Sequence, residues 1–212
     1  RSPQGAPTLR PQAYGYGTIQ TPVNNPDVHV FPSANPQTEV SIAQNPNNPL
    51  NFLITTNTTP TNTGQGYYYS FNGAATFNGS DAYPNGAANF GDPVSAFDAN
   101  GMAYDGTLGA AGGILISTST DGGVNWGAAL NIDPLASGND DKEHGSAAHA
   151  PGGLQNTFIM AWTDFGPTRV VATTSADGYA ARHILDGALG ADLGQGVNVQ
   201  WGPNNEAYVC WT

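Results

Sequence analysis

The feature that most constrains this chain is a repeat of about fifty residues. Four times a polar residue opens a short alternating run, a turn rich in Gly, Pro, Asn or Asp follows, and a second apolar run completes the unit. Glu39-Val40-Ser41-Ile42-Ala43 precedes the turn at 45–49 and then Phe52-Leu53-Ile54-Thr55. Asp92-Pro93-Val94-Ser95-Ala96-Phe97 precedes Asp98-Ala99-Asn100-Gly101 and Met102-Ala103-Tyr104. Glu143-His144-Gly145-Ser146-Ala147 and Gln195-Gly196-Val197-Asn198-Val199 open the third and fourth units in the same way. The leading residues Glu39, Asp92, Glu143 and Gln195 stand 53, 51 and 52 positions apart. A period of that length marks a supersecondary unit that cannot bury its apolar face alone and must stack on its own copies.

A second motif recurs in step with the first. Ser119-Thr120-Asp121-Gly122-Gly123-Val124-Asn125-Trp126 reads as a turn between two apolar runs. The Asp side chain accepts from backbone amides, Gly takes positive φ, and Trp folds back to bury a large face. Ser119, Asp121, Gly123 and Trp126 are therefore assigned to structure. Ser70-Phe71-Asn72-Gly73-Ala74-Ala75-Thr76-Phe77 is the same octapeptide with substitutions, and Ser175-Ala176-Asp177-Gly178-Tyr179 is an eroded third copy. Each unit then reads strand, turn, strand, loop, strand, Asp-turn, strand. That pattern predicts an all-β chain, a β-propeller of four-stranded antiparallel blades. The blades fall at about 37–90, 91–140 and 141–193, with the start of a fourth at 194–212. Residues 1–36, rich in Pro, Gln and Asn and lacking a period, read as an extended leader. No segment sustains a helical period, and 186–193 is read as at most one helical turn.

The Asp-turn resembles the Asp-box (BNR repeat) of sialidases and related propellers. Residues 39–49, 91–98, Asp141-Lys142-Glu143 and 194–211 resemble a group of secreted bacterial sialidase-like propellers, over about residues 28–212. The resemblance implies six blades, of which about three and a half are present. It therefore implies the N-terminal part of a longer protein, located outside the cell or on its surface. Its open apolar edges call for the remaining blades or a partner chain to cover them.

Charge excludes two classes of partner. The net charge is −11 with only five Lys and Arg, so neither the phosphates of nucleic acid nor an anionic membrane surface finds a basic patch. No apolar run approaches the ~20 residues of a membrane span. The single cysteine, Cys210, precludes an internal disulfide, and its apolar run predicts a buried small hydrophobe.

In a propeller the first strand of each blade lines the central channel. Glu39, Asp92, Glu143 and Gln195 are predicted at equivalent positions around its mouth, as ligand-binding residues together with His144. Such a ring suits Ca²⁺, whose ligands are hard oxygens, or the hydroxyls of a glycan; it suits an acid/base pair as well. Capping of strand ends through backbone amides is the structural alternative. The densest polar cluster is Asn139-Asp140-Asp141-Lys142-Glu143-His144, and its Asp141 and Glu143 alternate on one strand face. Asp92, Asp141 and Glu143 are the candidate catalytic residues. In the resembling group a Trp follows the Asp-Lys-Glu segment, where this chain has His144.

Sialidases hold the substrate carboxylate with three arginines, a fork geometry that Lys cannot reproduce. This chain has Arg1, Arg10, Arg169 and Arg182, none in the sialidase context. The expectation is a secreted sialidase-like propeller that binds or presents to glycans without catalysis in this portion. The alternatives are an exo-sialidase or other glycoside hydrolase completed by missing blades, and a structural or adhesive surface module. Tyr67-Tyr68-Tyr69 is read as a strand that buries Tyr68, or else offers aromatic faces to sugar.

Overall fold

The computed structural model describes residues 27–58, 64–133, 139–166, 169–186 and 194–212. Three four-stranded antiparallel sheets follow one another along the chain. They are β1 (Gln37–Gln44), β2 (Phe52–Thr58), β3 (Gln65–Ser70) and β4 (Asn78–Ser80); β5 (Asn89–Phe97), β6 (Ala103–Gly109), β7 (Ile114–Ser119) and β8 (Leu130–Asn131); and β9 (Asp140–Ala147), β10 (Phe158–Asp164), β11 (Arg169–Thr174) and β12 (His183–Ile184). A two-stranded sheet, β13 (Asn198–Trp201) with β14 (Ala207–Cys210), comes last. Strand order in every sheet is sequence order. Helix is limited, among the described residues, to the short 3₁₀ turns Pro84–Gly86 and Ser175–Asp177. Most of the turn read at 186–193 lies outside the described residues, as does 1–26 of the leader.

The sheets stack face to face, with the first strand of each beside the first strand of the next: β1 by β5, β5 by β9, β9 by β13. Val94, Ala96, Tyr104, Ile114 and Ile116 of the second sheet meet Ala147, Phe158, Met160 and Trp162 of the third. The Tyr104 and Phe158 rings stack at 4.6 Å. Leu53 packs on Phe97 and Ala103 between the first two sheets, and Ala161, Val170 and Ala172 pack on Val197 and Val199 between the last two. Each large side chain so enclosed is worth about 1.5–3 kcal/mol. Tyr68 is fully buried in β3, and its hydroxyl donates to Asp81. Tyr67 meets Trp126 edge to face at 5.6 Å, so the tyrosine strand serves packing.

Residues 27–36 are tied to the first sheet. The Phe31 ring lies 5.0 Å from that of Tyr68, and Ser33 Oγ donates to Asp81 at 2.6 Å. Ser41 and Ala43 face the second sheet, so alternation turns Ile42 to the other side, where it is 61% exposed. Cys210 departs from expectation. It is exposed, because β14 pairs with β13 on one side only and nothing described covers its outer side.

The Ser-x-Asp turns join the third and fourth strands of each sheet. Ser119 ends β7, and its Oγ accepts the Gly123 amide at 3.0 Å, as Ser70 Oγ accepts the Ala74 amide at 3.1 Å. The acid or amide two residues on accepts the amide four residues further in all three copies: Asn125 to Asp121 at 2.9 Å, Thr76 to Asn72 at 3.0 Å, Ala181 to Asp177 at 3.2 Å. Two successive residues with positive φ make this geometry, Gly122 and Gly123 in the best copy and Gly73 with Ala74 in the first. Trp126 returns to donate to Gly123 O at 2.9 Å and packs on the first sheet. Asn51 of the first sheet donates to Gly122 O, so the turn also fastens one sheet to the next. Ser119 pairs with Ala103, and Ala103 with Phe97. The turn is therefore at the opposite end of the sheet from Asp92.

Two stability predictions follow from these contacts. Burial is the largest influence on the Asp121 carboxyl and raises its pKa, but hydrogen bonds from Asn125, Ser119 and Val124 together outweigh it and hold the pKa below its ordinary value. Asp121→Ala is expected to cost about 0.5–1 kcal/mol at neutral pH, the worth of its turn hydrogen bonds discounted for exposure to solvent. A depressed folded pKa makes the gap full above the unfolded value of about 3.9 and closes it as pH falls further. Urea unfolding of parent and variant at pH 7 and pH 3 checks both statements.

Asp105 is the opposite case. It is fully buried in β6, Gln65 of the neighbouring sheet donates to its Oδ1, and Oδ2 has no hydrogen-bond partner. Burial pushes its pKa well above the carboxylate range against the Gln65 hydrogen bond. A raised folded pKa gives stability below about pH 3.9 that is lost as pH rises. Asp105→Asn is therefore expected to stabilise by about 1–3 kcal/mol at pH 7. The advantage should vanish near pH 3 in the same unfolding series.

Candidate functional site

Each inner strand of the three larger sheets carries the same irregularity near its start. The register of β1 on β2 shifts between Thr38 and Ser41, that of β5 on β6 between Gly91 and Val94, and that of β9 on β10 between Asp141 and His144. The residue inside each bulge has positive φ: Glu39 at 51°, Asp92 at 57° and Lys142 at 57°; Gly196, ahead of β13, stands at 68°. Side chains rarely adopt this conformation, which costs about 1–3 kcal/mol, and it marks places where a strand is bent to aim its residues. Gly91 suits glycine, since its φ of +87° strains any other residue and a Cβ there would crowd the Asn57 side chain.

The bulges define the equivalence of the strands. Glu39, Asp92, Lys142 and Gly196 correspond, and so do their followers Val40, Pro93, Glu143 and Val197. These eight residues line a mouth of about 380 Å³. The predicted ring of Glu39, Asp92, Glu143 and Gln195 is thus in register for its first two members and displaced by one for the others. Spacing alone cannot reveal this, because ladder pairing decides where the extra residue of a bulge sits.

Displacement puts an acid where the other three strands hold Val, Pro and Val. The Glu143 carboxyl is enclosed, and neither oxygen takes a hydrogen bond from another residue; the one hydrogen bond that favours its charged form comes from its own backbone amide. Burial pushes its pKa well above the carboxylate range, and the charges of Asp92 and Asp141 add to the effect. Asp92, Asp141 and Glu143 each bring a carboxylate oxygen to within 4.8 Å of the other two. The structure therefore gathers the three candidate catalytic residues, one from β5 and two from β9. Lys142 reaches back over them. Its Nζ is 3.0 Å from Asp141 Oδ1 and 3.3 Å from Asp92 Oδ2, and its side chain is half exposed. The hydrogen bond to Asp141 is the main reason its pKa is raised.

Of the other predicted residues, Glu39 joins the mouth but not the three-carboxylate group. Asn57 Nδ2 donates to its Oε2 at 2.5 Å, while Asn57 Oδ1 accepts the Asp92 amide at 2.8 Å. Asn57 thus couples two strands of the mouth, and its place on β2 in a Thr-rich run offered no sign of it. Gln195 has an exposed side chain, and its backbone pairs with Thr212. His144 stands below the mouth. Its Nδ1 accepts the Val199 amide at 3.1 Å, as Ser41 Oγ accepts the Ser95 amide at 3.0 Å. It is an inter-sheet link, and burial lowers its pKa.

Sequence reading names Asp140 and Arg182 but not the charged group they form. Arg182 Nη2 lies 3.1 Å from Asp133 Oδ2, 3.9 Å from Asp140 Oδ1 and in closer contact with Asp164. Its guanidinium stands 6.0 Å from the Trp162 ring, and Trp162 Nε1 donates to Asp140 at 3.1 Å. All three aspartate side chains are 1–2% exposed. Burial first, then the charges of Asp133 and Asp164, raise the Asp140 pKa to about 6 despite Arg182. Pairing of β9 with β10 sets Asp140 beside Asp164, Arg182 enters just before β12 of the same sheet, and packing of the second sheet on the third adds Asp133.

No family model and no curated protein matches the chain. Solved structures do. A variant of the NanB sialidase from Streptococcus pneumoniae superimposes with a TM-score of 0.56 at 14% identity, over 76% of this chain and 25% of that one. The Trypanosoma rangeli sialidase gives 0.52 at 13% identity, over 84% and 34%. The GH74 xyloglucanase of Xanthomonas campestris gives 0.51 at 15% identity, over 81% and 26%. The chain therefore has a sialidase-like β-propeller fold, and it spans about a quarter to a third of these proteins' length. Among the described residues no helix is long and apolar enough to cross a membrane.

Removing the arginine would leave three buried aspartates facing one another. Arg182→Leu is expected to destabilise by about 3–5 kcal/mol, the cost of breaking a buried ion pair from one side. Thermal unfolding by circular dichroism reads this directly.

Proposed function

We propose that the chain is the glycan-binding portion of a secreted, sialidase-like propeller, with its site at the bulge-lined mouth and no catalytic role of its own. The observation that carries this reading is the composition of that mouth. Glu39, Asp92 and Lys142, with Asp141 paired to Lys142 beside the lining, supply acceptors and a donor for sugar hydroxyls next to the apolar surfaces of Val40, Pro93 and Val197. A few convergent polar groups on an apolar lining is the usual make-up of a small-molecule site. Two sialidases and a xyloglucanase among the structural neighbours support a carbohydrate as the ligand class. The Ser-x-Asp turns are taken as Asp-boxes, and the exposed side of the first sheet as a seat for further blades or a partner chain. A location outside the cell accords with the low Lys content.

Two features speak against catalysis by these residues. A general acid must come within hydrogen-bond reach of the glycosidic oxygen, and the oxygens of Glu143 are enclosed. A sialoside carboxylate also needs its arginine clamp. Arg182 is committed to Asp133 and Asp164, and neither it nor Arg169 lines the mouth.

A glycan array with the full chain tests the reading. Saturable binding is expected, weakened about tenfold or more, roughly 1.4 kcal/mol, by Lys142→Ala. Asp121→Ala, at the far end of its sheet, should bind as the parent does. Turnover of a fluorogenic sialoside by this chain would replace the proposal with a hydrolase. A blank array with folded protein would leave a structural or adhesive module.

A further inference from the structure

We infer that Asp92, Asp141 and Glu143 form a divalent-cation site that favours Ca²⁺ over Mg²⁺ and in which the Lys142 ammonium is the built-in competitor. The first support is distance. The three carboxylate oxygens lie within 4.8 Å of one another. Oxygens on one Ca²⁺, bound at 2.3–2.6 Å, stand at most about 4.6–5.2 Å apart, whereas Mg²⁺ at 2.0–2.1 Å draws them within about 4.2 Å. The three are therefore close enough to converge on one divalent ion, and the preference for Ca²⁺ rests on its tolerance of irregular oxygen geometry, where Mg²⁺ demands a near-ideal octahedron and dehydrates reluctantly.

The second support is independent of the cluster's charge. Both oxygens of Glu143 are enclosed and take no hydrogen bond from another residue, and one of them lies within 4.8 Å of carboxylate oxygens of Asp92 and Asp141. A buried polar group in that condition costs free energy that a ligand can relieve. Nothing in the fold requires an acid there, since Val40, Pro93 and Val197 hold the same place in the other strands. The third support is the lysine. Its ammonium bridges Asp92 and Asp141, which shows that this point accepts a cation, yet it leaves Glu143 unserved. With its side chain half in solvent, Lys142 can swing away while a divalent ion takes all three carboxylates. Water completes the coordination from the open mouth, which puts the affinity at the weak end for Ca²⁺ sites, Kd about 10⁻⁴ M.

The inference does not depend on the glycan reading, because the probe is the metal alone. The full chain, stripped with EDTA, is titrated with CaCl₂ and separately with MgCl₂ in a calorimeter. One Ca²⁺ per chain is expected, at least tenfold tighter than Mg²⁺. Asp92→Asn and Glu143→Gln should each weaken it at least tenfold, with circular dichroism showing both variants folded in EDTA. Lys142→Met should tighten it several-fold, a gain that misfolding cannot imitate. Absence of saturable heat up to about 10 mM Ca²⁺ with folded protein would overturn the site. Unchanged affinity in Glu143→Gln, or no gain in Lys142→Met, would do the same.

Discussion

The structure depends on one constraint: each four-stranded sheet has two apolar faces, and only another sheet can cover them. Val94 and Ala96 look toward the third sheet while Phe97 looks toward the first, so β5 is apolar on both sides. That demand sets the sheets side by side with their first strands adjacent. Everything at the channel follows from it, because the inner strands are the ones brought together. Polar links then fix the register between sheets: Ser41 with Ser95, His144 with Val199, Trp201 with Ser146.

The mouth results from a conflict between this stacking and regular pairing. A straight ladder would send Asp92 and Lys142 to alternate faces with their neighbours. The bulges, at a cost in backbone strain, turn both inward beside Asp141 and Glu143. Acidic groups thereby gather at one end of the sheets while the Ser-x-Asp turns hold the other. Folding and recognition are separated along the strands. Charge is handled differently deeper in, where Arg182 answers three aspartates and Asp105 meets an amide.

Much of this was legible in the sequence, at particular residues. The Ser119 to Trp126 turn announced its own hydrogen bonds, because Asp, Gly and Trp each have one local use there. Asp92, Asp141 and Glu143 stood out as acids at strand entrances, and they do converge. Asn57 reads only as the start of an Asn-Thr-Thr sequon, since nothing in a Thr-rich strand announces an amide that links Glu39 to the Asp92 backbone. Cys210 misled, because an apolar run says nothing about whether a neighbour covers it.

By itself the sequence determined the period, the alternation and the turn chemistry, which are local properties of consecutive residues. Tertiary structure alone decided which residues share the mouth. Whether Glu143 or Lys142 corresponds to Asp92 depends on where the ladder absorbs an extra residue, and that is settled by pairing with β10. The same holds for Arg182. Its partners Asp140 and Asp164 meet through ladder pairing between distant segments, and Asp133 joins only when the second sheet packs on the third, so no local pattern encodes the group.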